Sequence, residues 1–180
     1  MIKSLILVLL MIIFAQVSFC QSVKFGIKAG LNYANVTGSE LKTEAITSYH
    51  AGLVSEIKLT DAFTLQPELL YSTQGATYKT ALEDFKNELG YIAIPVMLKI
   101  NLSENLCLEL GPQAGFLLSE KNKFDTNKSK TFDFVANAGL GLKVTDTLFL
   151  QARYGLGLTE IKTDSDIKNS VVQLSLGILF

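Results

Sequence analysis

The residues that most enzymatic chemistry needs are scarce in this sequence. Its 180 residues include one histidine, His50, and two cysteines, Cys20 and Cys107. Cys107 is alone once the N-terminal segment is set aside, so no intramolecular disulfide is available. One histidine and one cysteine leave no plausible zinc set. No charge of either sign dominates: 16 basic and 17 acidic side chains give a net charge of -1, and no basic patch marks a nucleic-acid partner. No convincing long helical pattern occurs, and no cofactor is expected. His50 could act as a base only beside a serine and a carboxylate. Ser72 and Ser119 are imaginable partners, but neither lies in a recognisable motif, so a histidine that only hydrogen-bonds is the simpler reading. No catalytic or metal-binding residue is therefore assigned.

Apolar content is plentiful, with a mean hydropathy of +0.31. Part of it lies in "MIKSLILVLLMIIFAQVSFCQS" at the N-terminus. Lys3 precedes an apolar run from Leu5 to Phe14, and Ser18 and Cys20 supply small residues before Gln21. This is the layout of a secretory signal peptide, with cleavage expected between Cys20 and Gln21. A retained anchor helix needs about 20 apolar residues, and this run breaks at Gln16. A lipoprotein would acylate Cys20, but Phe19 stands where such signals carry a small residue. The expected division is residues 1–20 as signal peptide and 21–180 as one domain.

The rest of the sequence alternates with period two, the pattern of strands whose two faces differ. In residues 23–33, Val23, Phe25, Ile27, Ala29, Leu31 and Tyr33 share one face, and Lys24, Gly26, Lys28, Gly30 and Asn32 the other. The same reading predicts strands over 49–59, 63–74, 90–102, 106–118, 132–144, 148–159 and 171–180. Short polar turns, "TDA", "SEN" and "TDT", alternate with longer polar segments at 34–48, 75–89, 119–131 and 160–170. The pattern is an up-and-down meander of eight strands whose edges must be closed.

Either face of such a barrel could point outward. A soluble, lipocalin-like barrel buries its apolar face, whereas a membrane barrel turns it to lipid. Four features favour lipid. The strands reach or exceed the 9–11 residues that cross a bilayer at a tilt. The polar face is dense in glycine, including Gly26, Gly52, Gly139, Gly141 and Gly177, which suits a cramped lumen. Aromatic residues on the apolar face gather near both ends, with Phe25, Phe63 and Phe180 at one and Tyr33, Tyr49, Tyr71 and Phe132 at the other. Short turns at one end and long loops at the other match the periplasmic and external ends of outer-membrane barrels. The predicted fold is thus an all-β, eight-stranded, antiparallel up-and-down transmembrane barrel. A last strand that ends on Phe180 is understandable if it pairs with the first, because a closed barrel has no free edge.

Particular residues carry a further resemblance. Tyr91-Ile92-Ala93-Ile94-Pro95 with Lys99, Gly111-Pro112 with Gly115, and Gly139 with Gly141 occur in order. Arg153-Tyr154 with Gly157-Leu158 and the closing Gln173-Leu174-Ser175-Leu176-Gly177 with Phe180 follow. In this the chain resembles the outer-membrane β-barrel domain family, often labelled "porin family" or PorT-like, over nearly its whole length from residue 21. The resemblance implies an eight-stranded barrel in the outer membrane of a Gram-negative bacterium. It implies neither a pore nor a role in secretion, and no peptidoglycan-binding module like that of OmpA-type proteins is expected after the barrel. A terminal Phe180 with apolar residues at alternate positions before it resembles the signal read by the machinery that inserts such barrels; otherwise it is an aromatic interface residue on an edge strand.

The inward face carries charge. Lys28, Glu56, Glu68, Glu109 and Arg153 fall near mid-height, and Lys58, Lys99 and Lys143 nearer the short-turn rim. Buried charges must be paired or hydrated. They could form a plug, with Arg153 bridging carboxylates, or a narrow polar path whose charges set ion preference. An eight-stranded lumen is just wide enough for side chains to fill it, which favours the plug. In the second long loop, Thr80 and Glu83 could form a capping box, with Leu82 and Phe85 on one side of a short helix; alternatively the strands extend beyond the membrane there. The lysine-rich segment 119–130 suits solvent or lipid phosphates. The expected protein is a non-enzymatic outer-membrane barrel with a filled interior and four external loops. The competing readings are a small porin and an adhesion or secretion-accessory protein acting through its loops. Its expected partners are membrane lipid, the insertion machinery and a protein at the loops. Nothing in the residues selects a solute, a partner or an oligomeric state.

Overall fold

A computed structural model describes residues 23–37, 43–79, 84–121, 131–159 and 168–180. They form eight strands: β1 (Val23–Thr37), β2 (Thr43–Lys58), β3 (Phe63–Lys79), β4 (Asp84–Asn101), β5 (Leu106–Lys121), β6 (Phe132–Lys143), β7 (Leu148–Gly157) and β8 (Lys168–Leu179). Each strand pairs antiparallel with the next, and β1 pairs with β8 from Gly26↔Leu179 to Thr37↔Lys168, so the sheet closes into a barrel. The expected signal segment, 1–20, lies outside the described residues.

The three tight turns repeat one chemistry. Thr60 Oγ1 accepts from the Phe63 amide (3.0 Å), Ser103 Oγ from Leu106 (3.1 Å) and Thr145 Oγ1 from Leu148 (2.9 Å). Each hydroxyl holds the amide that opens the next strand, the local bond that makes Ser and Thr turn residues. At the other end the strands run further than alternation suggests. Thr77↔Lys86, Tyr78↔Phe85 and Lys79↔Asp84 are ladder pairs. The segment read as a loop with a capped helix is therefore mostly hairpin; Thr80, Leu82 and Glu83 lie outside the described residues, and Phe85 is in β4. The apolar face stops where the hairpin leaves the belt, but backbone pairing continues. The alternation signal consequently ends before the strand does.

The apolar face points outward. Leu174 is 59% exposed and Ile178 48%, and the large exposed apolar side chains come from all eight strands. Left in water, each such side chain forgoes about 1.5–3 kcal/mol of burial, so this surface is stable against lipid. Among the described residues no helix is long and apolar enough to cross a membrane; here strands do the crossing. The interior is layered. Val54, Phe149 and Leu179 pack together toward the short turns, polar side chains fill the middle, and Ala34, Ile46 and Val171, with Val36, Leu89 and Tyr91, line the long-loop end.

Candidate functional site

Inward alternation on the odd-numbered strands builds the middle layer: Lys28 on β1, Gln66 and Glu68 on β3, Glu109 on β5, Gln151 and Arg153 on β7. Glycines on the even strands flank several of these residues. Gly52 and Gly177 are the register partners of Lys28, and Gly139 is the partner of both Glu109 and Arg153. A Cβ at Gly139 would lie 2.7 Å from Arg153 Cγ. Glycine stands beside Lys28, Glu109 and Arg153 because the lumen has no room for eight long side chains.

Arg153 is held by two carboxylates. Its Nε donates to Glu109 Oε2 (2.9 Å), its Nη1 to Glu68 Oε2 (3.0 Å) and its Nη2 to Glu68 Oε1 (2.7 Å), while Nη2 also lies 2.9 Å from Glu109 Oε2. The planar fork of guanidinium donors suits this two-sided grip. Lys28 Nζ lies 2.8 Å from Glu68 Oε2 and donates to Gln151 Oε1 at 3.1 Å. Gln151 Nε2 in turn donates to Glu109 Oε1 at 2.6 Å, and Gln66 donates to Glu68. One layer nearer the short turns, Lys99 pairs with Glu56 and lies 4.0 Å from Glu109. Lys28, Lys99 and Arg153 face Glu56, Glu68 and Glu109, so the connected set is formally neutral. The side chains of Lys28, Glu68 and Glu109 have no solvent exposure.

Lys58 and Lys143, placed in the lumen by alternation, do not join this network. They reach the turns just beyond them, to Asp61 (2.6 Å) and Asp146 (2.7 Å), where water surrounds both partners. The hydrogen bond from each lysine holds the turn carboxyl below its ordinary pKa. A cavity of about 940 Å³ opens at this end, lined by Lys99, Glu56, Cys107, Phe149 and Gln151, and it stops at the charged layer. Phe180 is 75% exposed, and its backbone exchanges hydrogen bonds with Phe25 (2.8 and 3.3 Å).

Toward the long loops, His50 is fully enclosed. Its Nδ1 meets Asn32 Oδ1 at 2.7 Å and its Nε2 meets Ser175 Oγ at 2.8 Å. Asn32 Nδ2 donates to the Thr73 carbonyl (2.7 Å) and to Ser72 Oγ (3.0 Å). Those acceptors fix the amide so that its oxygen faces His50, which places a proton on Nδ1 and makes Nε2 an acceptor for Ser175. The connectivity joins a serine, a base and an orienting group, but all three are buried between the charged layer and the apolar outer layer. Ser72 bonds Asn32 and Ser119 is exposed, so the serine that meets His50 is Ser175. Asn32, Gln66, Gln151 and Ser175 are neutral residues whose only signal in sequence is the inward phase of their strands.

Comparison with known proteins gives one pattern. A family described as "Outer membrane protein beta-barrel domain" matches residues 14–163. No curated protein matches the chain. Among solved structures, Neisserial surface protein A (NspA) is similar with a TM-score of 0.60 and 15% identity over 88% of this chain and 99% of that one. Ail, the attachment invasion locus protein of Yersinia pestis, has a TM-score of 0.57 and 13% identity over 87% and 98%. OprG from Pseudomonas aeruginosa has 0.50 and 10% over 89% and 95%. At these identities the likeness is one of fold.

Proposed function

Because the chain belongs to the outer membrane protein β-barrel domain family, and so resides in the outer membrane in contact with its lipid, we propose that it is a non-enzymatic, closed barrel that acts through its external loops. The observation that carries this reading is the grip of Glu68 and Glu109 on Arg153 across the lumen. An ion crossing the barrel would have to part that cation from two carboxylates in a dry interior, and stranding one buried charge costs about 3–5 kcal/mol. A lumen closed in this way leaves the membrane sealed and the long-loop end as the working surface. Ail, similar in fold, bears a name that refers to attachment, which accords with loop-borne contact as the class of activity.

The test is single-channel recording of the refolded protein in a planar bilayer, after a check that its gel mobility changes on boiling. The expected result is a folded and silent barrel. Reproducible steps whose ion selectivity changes in Arg153→Gln or Glu68→Gln would establish the second reading, a narrow pore. That reading draws on the cavity that reaches Lys99 and Glu56 from the short-turn end. Deleting a long loop while retaining the fold should abolish partner binding if the loops act as proposed. Export by a leader over residues 1–20 is part of the same proposal, and the mass of the membrane-extracted protein tests it.

A further inference from the structure

The long-loop mouth holds a charge that the lumen network does not include. Asp133, near the start of β6, is 5% exposed. Its Oδ1 accepts from Thr159 Oγ1 and its Oδ2 from Asn169 Nδ2, both at 2.7 Å. Both donors are neutral. Lys28, Glu68, Lys99, Glu109 and Arg153, the other buried charged residues, each meet an opposite charge; among the described residues Asp133 meets none.

A second irregularity lies beside it. Asn169 is 1% exposed, and its Oδ1 has no hydrogen-bond partner. The two ends of an amide are about 2.3 Å apart, so this oxygen is at most about 5 Å from the Asp133 carboxylate. Gln74 Oε1, another buried oxygen without a partner, belongs to the same end: Val36, the register partner of Asn169, packs against Leu89, the register partner of Gln74. Thr159 Oγ1 also accepts from the Phe134 amide at 2.9 Å, which directs its hydrogen to Asp133. Among the described residues, the Asp133 carboxylate therefore lies among neutral donors and oxygen acceptors, with no cation in contact.

Buried charges are paired or they coordinate metals. Among the described residues no three His, Cys, Asp or Glu gather as metal ligands, and the donors here are all oxygen. That set disfavours zinc and copper, which take nitrogen and sulfur, and suits a hard cation. We propose that Asp133, Asn169 and Thr159 bind a hard cation of the calcium class at the long-loop mouth. The site joins β6, the second residue after β7 and the start of β8, so an occupied site ties together three strand ends at the external rim. It stands independently of whether the lumen conducts. With one carboxylate its affinity belongs to the weak class of calcium sites, about 10⁻⁴ to 10⁻³ M.

The test is calcium titration of the refolded protein in a maltoside detergent, which carries no phosphate to compete. Calorimetry measures binding, and the side-chain amide resonances of Asn169 locate it. One saturable calcium per chain is expected, with those resonances shifting in step. Asp133→Asn should weaken binding at least tenfold, and Asn169→Asp, which adds a carboxylate, should tighten it at least tenfold. Asn169→Asp decides the matter alone if Asp133→Asn does not fold. The proposal is overturned if no heat is seen, if neither variant changes the affinity, or if the Asn169 resonances stay still while calcium binds elsewhere.

Discussion

At the scale of single residues, the interior of this barrel is a problem in charge compensation. Arg153 and Glu68 are each other's main partners, and neither has water to fall back on. Arg153→Gln should therefore leave Glu68 with Lys28 alone and Glu109 with only Lys99 at 4.0 Å, and should cost roughly 3–5 kcal/mol. Urea unfolding in lipid vesicles, followed by far-ultraviolet circular dichroism because the sequence has no tryptophan, measures this. A loss below about 1 kcal/mol, the range of exposed pairs, would show the network to be hydrated. The turn pairs behave differently. Asp61 and Asp146 have folded pKa values below the ordinary 3.8, through the hydrogen bonds from Lys58 and Lys143. A depressed carboxylate contributes stability above its unfolded pKa and loses it as pH falls through the folded value. Asp61→Asn and Asp146→Asn should thus shift the urea midpoint slightly at neutral pH. The difference from wild type should vanish below the depressed values, at the acid end of a pH series of unfolding curves. Of these residues, sequence alone marked Arg153, Glu68, Glu109 and Lys28 as interior. It could not show that Lys58 and Lys143 bend to the turns, because one residue of phase does not reveal where a long flexible side chain ends.

At the scale of elements, strand faces obey a packing rule that composition only hints at. The Phe149 ring on β7 lies directly over Gly177 on β8, its register partner, and a Cβ there would collide with the ring. Gly177→Val should destabilise the barrel by about 1–3 kcal/mol, as overpacking does. Phe149→Ala in the same chain should recover part of that loss, and a double-mutant cycle on unfolding midpoints measures the coupling. Equal losses with and without the ring would place the cost in the strand backbone instead. The inward glycines were legible as a class. Which large side chain each one accommodates was not, since that depends on the register between neighbouring strands. The outer hairpin of β3 and β4 illustrates the same limit. Its ladder continues to Lys79↔Asp84, yet outside the apolar belt nothing in the residue pattern distinguishes a paired strand from a polar loop.

At the scale of the whole molecule, pairing of β8 with β1 leaves the sheet without a free edge. Phe180 adds only its backbone bonds to Phe25 and an exposed ring. Deleting it should leave the urea midpoint of the refolded barrel within about 0.5 kcal/mol of wild type, as surface changes usually do. If Phe180 is read by the insertion machinery, the same deletion should slow assembly into native outer membrane, followed by the appearance of the heat-modifiable form. Unchanged assembly would reduce Phe180 to an interface aromatic. Two-residue alternation by itself determined the number of strands, their order and, with the aromatic belts and unequal loops, that the apolar face meets lipid, because each of these follows from the local period of the chain. Tertiary structure alone decided which charges pair, that His50 meets Ser175 and Asn32, and that Asp133 has no cation partner among the described residues. Those contacts join residues 18 to 125 positions apart, and their geometry depends on the register and shear that set in only when the barrel closes.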